Sequence, residues 1–155
     1  MRHFIATLAV LFLVQSHFSA ERGGVFELRR VAERASENTV PMEYKAGKNS
    51  ETLHVEKKAL LDGSAVESAK VSSDPVSGQP IVEVKFNEEG TKKFSDISAE
   101  NIKKRIAIVV DGKVVTAPIV QTRIPGGRVH ITGDLTKEQA EELVRMINRA
   151  AGKTD

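Results

Sequence analysis

The feature that most constrains this chain is the run IAIVVDGKVV at residues 106–115. Asp111-Gly112 is the favoured pair for a two-residue hairpin turn of type I′, in which both central residues take positive φ. On the first arm Ile106, Ile108 and Val110 share one face, while Ala107 and Val109 share the other. Both faces are apolar, which predicts central strands covered on both sides. The cover has to come from the remaining segments.

Those segments alternate between strand and helix signals. Residues 25–32, VFELRRVA, fit a strand through Phe26 and Leu28 and also fit a helix face; strand is the preferred reading. Residues 33–51 are polar and broken by Pro41 and Gly47, which reads as a loop or linker. In ETLHVEKKALLD, Leu53, Val55, Ala59 and Leu61 alternate inward with only Lys57 breaking the series. Asp62-Gly63 ends that strand, and residues 64–69 suggest a short helical turn capped by Ser64. AKVSS, the loop DPVSGQ and PIVEVKFN form a second hairpin, with Val82, Val84 and Phe86 on one face.

Two helices follow from caps and periodicity. Asn87 caps the segment EEGTKKFSDI, whose Glu88 and Glu89 suit the positive end of the helix dipole. Gly90, Phe94 and Ile97 share its inner face, and a further turn from Ser98 brings in Ile102. Thr136-Lys137-Glu138-Gln139 is a capping box. Behind it Ala140, Leu143, Val144 and Ile147 make an apolar stripe at helical spacing. Between the helices, GRVHITG is a short strand with Val129 and Ile131 inward, and Gly133 and Asp134 turn the chain. The fold class expected is α+β: an antiparallel or mixed sheet with a central Asp-Gly hairpin, covered by two main helices.

The first 20 of the 155 residues have the layout of a secretory signal. Arg2 and His3 precede an apolar core over 4–14, and Ser16, Ser19 and Ala20 are small residues near its end. The core is shorter than the ~20 residues a membrane span needs. Export to the periplasm or medium is expected, with an uncleaved anchor as the alternative. The organisation expected is a signal over 1–20, a strand and polar linker over 21–51, and a domain over 52–152. Without residues 1–20 the chain has 22 basic and 21 acidic residues, so no strong field draws it to nucleic acid or to a membrane surface. Membrane contact is expected only through the N-terminal segment if it stays uncleaved. No cysteine is present, which removes disulfides, thiolate metal sites and thiol catalysis.

No catalytic pattern emerges. Outside the signal segment the histidines are His54 and His130, on the polar faces of expected strands and without metal-ligand spacing. There is no G-x-S-x-G. Asp62, Asp111 and Asp134 each adjoin a glycine, which is turn chemistry first and an acid–base pair only second. IPGGRVHITG lacks the spacing of a phosphate loop. Lys103-Lys104-Arg105 reads as a solvated basic run; with aromatics at 5% and no Trp, no stacking platform for single strands accompanies it. No enzyme activity, metal or cofactor is expected.

The order of pieces carries a resemblance. LLDGSAVESAKV, GQPIVEVKFNEEGTKKFSDISAENI, KRIAIVVDGKVVTAPIV and IPGGRVHITGDLTKEQAEELVRMIN follow one another over about residues 58–150. This resembles the head subdomain of the first periplasmic region of the SecD and SecDF protein-export subunits, and VFELRRVAE resembles a segment that precedes it. One departure is Asn101-Ile102-Lys103, where the family usually has Asn-Ile-Gly. The resemblance implies a head fold on a stand-alone exported domain. The resemblance implies that it lacks the full members' transmembrane helices, with their charged residues linked to proton flow, and their base subdomain, and the family's head is thought to meet emerging unfolded polypeptide.

A functional surface is expected where the hairpin ends, at Ala117, Pro118, Ile119, Val120, Ile124, Pro125, Gly126, Gly127 and Arg128. Prolines there interrupt pairing and leave backbone and apolar groups for an extended peptide to dock by strand addition. The partner expected is unfolded or extended polypeptide in export or envelope protein handling. The alternative is a dedicated interaction or sensor domain for one envelope partner.

Overall fold

The computed structural model describes residues 25–153, so the expected signal segment lies outside the described residues. Among the described residues eight strands and two α-helices run in the order β1 (Phe26–Ala32), β2 (Thr39–Ala46), β3 (Asn49–Asp62), β4 (Val66–Ser73), β5 (Pro80–Phe86), α1 (Glu88–Glu100), β6 (Ile106–Val110), β7 (Lys113–Thr116), β8 (Arg128–Ile131) and α2 (Lys137–Ala150). The α+β class holds, but there are two sheets rather than one. A five-stranded sheet has the order β2-β3-β1-β6-β7 and a three-stranded sheet has the order β4-β5-β8. Every strand pairing is antiparallel.

The hairpin turn forms as its residues require, with φ of 47° at Asp111 and 76° at Gly112. Asp111 also ties down the start of β1, accepting from the Val25 N–H at 2.8 Å and donating its own N–H to the Val25 carbonyl. The two faces of β6 enter two different cores. Ile106, Ile108 and Val110 join Phe26, Leu28, Val82, Val84, Phe86, Phe94 and the α2 stripe in the main core between the sheets and helices. Ala107 and Val109 join Leu53, Val55, Val114 and Ala117 in a smaller core on the other side, closed by Met42 and Tyr44 of β2. Edge strands β2 and β7 approach each other, so the sheet curls around this second core.

Three expectations give way. Residues 33–51 are not a linker throughout, because β2 pairs along β3 from Thr39↔Glu56 to Ala46↔Asn49. The first sheet therefore draws strands from both sides of residue 51. Pro41 is tolerated because β2 is an edge strand. Counting from the Lys57 N–H bonded to the Asn38 carbonyl at 2.8 Å, position 41 turns its nitrogen outward, where no ladder bond is lost. The expected helical turn at 64–69 is a 3-10 turn over Gly63–Ala65 capped by Asp62, and β4 begins at Val66. Ile102 is not brought inward; it is 42% exposed.

The broken alternation in β3 has a physical source. Its pairing with β1 shifts between Leu28↔Leu61, Arg29↔Ala59 and Val31↔Val55, a slip of three residues. An odd slip inverts which face each parity presents. Leu53 and Val55 therefore face the smaller core while Leu61 faces the main one. Lys57 and Lys58 lie exposed in the irregular stretch.

Candidate functional site

After β7 the chain does not leave the sheet at once. The Val120 N–H donates to the Lys104 carbonyl at 2.9 Å and the Ile106 N–H to the Pro118 carbonyl at 3.1 Å, with Arg105 opposite Ile119. The backbone at 118–120 is thus already paired, against the expectation that prolines leave it available. Pro118 fits because a proline still offers its carbonyl. Arg105 Nε donates to the Ala117 carbonyl at 3.0 Å and closes this corner.

The loop that follows is strapped to α1. The Ile124 N–H donates to Ser98 Oγ at 2.9 Å, and Arg123 Nε donates to Ser95 Oγ at 2.7 Å. Both serines are buried, and these bonds give each hydroxyl oxygen a donor; Ser98 Oγ in turn donates to the Ser95 carbonyl at 2.9 Å. Gly127 closes the loop with φ +61°, and a β-carbon there would sit 2.1 Å from Thr91 Oγ1. Only glycine fits that approach. Its carbonyl accepts the Phe86 N–H at 2.8 Å and starts the β5–β8 pairing.

The expected site residues divide accordingly. Ala117, Val120 and Gly127 are buried. Pro118, Ile119, Pro125, Gly126 and Arg128 are exposed, and Ile124 is half-buried. Pro118, Ile119, Val120, Ile124 and Arg128 come together around one mostly apolar cleft of ≈ 320 Å³. Its lining also includes Leu28 from β1, Phe94 from α1, Ile106 and Ile108 from β6, and Val129 and His130 from β8. Sequence reading assigned none of these last six to a site. They come from four separate elements, and no local signal marks which core or edge residues of distant segments border one opening.

One wall of the cleft is a strand edge. β8 is the terminal strand of its sheet and pairs only with β5. With Phe86 and Gly127 bonded, ladder bonds recur at Val84↔Val129 and Val82↔Ile131. The N–H and C=O groups of Arg128 and His130 therefore point outward, and no described strand pairs with them. Edge groups of this kind are a template for another strand.

Electrostatics at this wall centre on Glu83. Lys70, Glu83 and His130 stand across neighbouring strands, with Glu83 3.4 Å from Lys70 Nζ, 3.4 Å from His130 Nε2 and 3.8 Å from Arg128. Burial works against the Glu83 charge, but the hydrogen bonds to His130 and Lys70 and the nearby cations hold its carboxyl below the ordinary value. His130 is exposed as expected, whereas His54 is half-buried with its Nδ1 enclosed and unpartnered. Among the described residues no hydroxyl bonds to His130, and no three His, Asp or Glu side chains gather as for a metal. The arrangement sets unpaired backbone N–H and C=O groups beside an apolar cleft.

Residues 37–151 match the SecDF P1 head subdomain family. The chain is 42% identical over 105 residues to the protein translocase subunit SecD of Magnetococcus marinus, covering 68% of this chain and 20% of that protein. It is 44% identical over 93 residues to SecD of Acidaminococcus fermentans, covering 60% of this chain and 22% of the relative. It thus spans about a fifth of the length of the curated relatives it matches. A solved structure of SecDF, described as a membrane component that enhances protein export, superposes with TM-score 0.66 at 31% identity, over 83% of this chain and 63% of that one.

Proposed function

The chain belongs to the SecDF P1 head subdomain family, and from that premise we propose that it is a non-catalytic binding module of the protein-export apparatus, on the exported side of the membrane, that holds extended polypeptide. The observation that carries this reading is the open edge of β8 beside the apolar cleft. Backbone hydrogen bonds to Arg128 and His130 recognise any extended chain whatever its sequence. The cleft accepts apolar side chains from alternate positions of that chain. Such a combination suits unfolded polypeptide, which exposes both its backbone and its hydrophobic residues. With one short edge and one cleft, affinity is weak, with Kd about 0.1–1 mM. Weak binding lets a moving chain pass on.

The test is an NMR titration of the chain with several unrelated apolar-rich peptides. Amide shifts clustering at 118–130 for several peptides, and lost in Ile119→Asp, support the reading. Ile119 is 51% exposed, so that variant keeps the fold. No shifts at millimolar peptide sink it. Indifference to peptides with tight capture of one envelope protein favours a dedicated interaction domain instead.

A further inference from the structure

The segment 118–120 separates two hollows, and Ile119 lines both. On its far side lies a wider pocket of ≈ 660 Å³, between the end of β1 and the turn at 103–105. Its charged lining is lopsided: Arg30, Lys103, Lys104 and Arg105 face a single acid, Glu33. Two of these cations are committed elsewhere. Arg30 pairs with Glu56 at 3.5 Å and donates to Asn101 Oδ1 at 2.8 Å. Arg105 pairs with Glu51 at 2.8 Å and lies over the Tyr44 ring at 5.7 Å. Lys103 and Lys104 have no ion-pair partner among the described residues, and both are exposed.

Lys103 is also held in an unusual backbone. Its φ is 63°, in the left-handed region that disfavours a β-carbon. Its N–H is held at 2.7 Å by the Val120 carbonyl and the next N–H at 2.9 Å by the Asn101 carbonyl, so the turn is anchored on both sides. An observed outlier of this kind points toward a role for the side chain it carries. Here it places an uncommitted ammonium beside a second one, at the rim of a pocket that shares a wall with the apolar cleft.

We infer that this pocket takes the carboxylate of an acidic side chain belonging to the polypeptide that lies in the cleft. The module then prefers segments in which an apolar residue and an Asp or Glu fall within a few residues of each other. The inference rests on the polypeptide reading above. Charge complementarity selects the occupant: two unpaired ammonium groups and no free acid beyond Glu33 favour a carboxylate over a basic or neutral side chain.

The experiment compares peptides with one shared apolar core, carrying two Glu, two Gln or two Lys at either end, titrated into the chain at low and at high salt. The Glu peptide in its better orientation is expected to bind about fivefold more tightly than the Gln peptide, with the difference shrinking at high salt. Shifts are expected at Lys103, Lys104 and Ile119. The double variant Lys103→Gly/Lys104→Gln removes both charges while relaxing the turn, so it folds, and it should erase the difference between Glu and Gln. Equal binding of the Glu and Gln peptides overturns the inference and leaves the polypeptide reading intact. Binding by none of the peptides overturns both.

Discussion

Lys103 and Asn101 show how much one turn depends on single residues. Asn101 is fully buried, yet its polar atoms are all engaged: Nδ2 donates to the Ile97 carbonyl at 2.7 Å and Oδ1 accepts from Arg30 at 2.8 Å. It fixes the end of α1 against β1 and so sets the path of the next two residues. Lys103 follows in the left-handed region with φ 63°. A non-glycine residue there costs about 1–2 kcal/mol, partly offset by the greater unfolded freedom of glycine. Lys103→Gly is therefore expected to raise stability by about 0.5–1 kcal/mol, read as an increase in urea midpoint at unchanged slope. A midpoint that falls would show that the lysine side chain contributes more than its backbone costs. That Lys103 departs from the Asn-Ile-Gly the resemblance implies was visible in the sequence. That Lys103 takes a left-handed backbone was not, because the anchoring carbonyl comes from Val120, 17 residues further along the chain.

At the scale of elements, the helices were the most legible parts. The capping box at Thr136 and Gln139 forms with both reciprocal bonds, and Ala140, Leu143 and Ile147 are buried as the spacing required. Asn87 caps α1 by accepting the Gly90 N–H at 2.8 Å. What could not be read is why Gly90 lies inside a helix. A β-carbon there would meet the Ala65 carbonyl oxygen at 2.5 Å and the Ala65 methyl at 2.8 Å, because α1 presses against the 3-10 turn at Gly63–Ala65. Gly90→Ala should improve intrinsic helicity by ~1 kcal/mol. The clash reverses that sign, and a net loss of about 1–3 kcal/mol is expected by thermal or urea unfolding. A gain would mean that α1 can shift outward freely, which would also move Phe94, whose ring lies 5.0 Å from that of Phe86 in the main core.

For the whole molecule, charge ties the open β8 edge to stability. Hydrogen bonds and nearby cations hold the carboxyls of Glu51, Asp62, Glu67, Asp74, Glu83, Glu89 and Glu138 below their ordinary values, and Glu83 has a side chain only 16% exposed. A carboxyl depressed in the folded state adds stability that is complete above its unfolded value and lost as pH falls through its folded one. The molecule should therefore lose stability below about pH 4.5, the ordinary glutamate value. Glu83→Gln should lower stability at pH 7 and flatten the acid limb, as measured by urea midpoints at pH 7 and pH 3. An acid limb as steep as in the parent chain would assign the loss to other carboxyls.

The class of fold, both helices, the two hairpins and the family resemblance followed from sequence by itself, because caps, turn pairs and periodicity act over a few residues. The alternation of β6 even announced that both its faces are covered. Sequence could not say that the cover divides into two cores, that β2 completes the first sheet, or that β3 slips by three residues against β1. β2 is a polar edge strand whose neighbours supply its order, and a register slip is a property of a pair of strands. The candidate site follows the same rule. Residues 117–128 were marked out by their prolines and glycines, but only packing decided that Ala117, Val120 and Gly127 turn inward and that Leu28, Phe94, Ile106 and Ile108 border the opening. A cleft exists only between elements, so its shape depends on how distant segments pack, and that is where the tertiary structure decides.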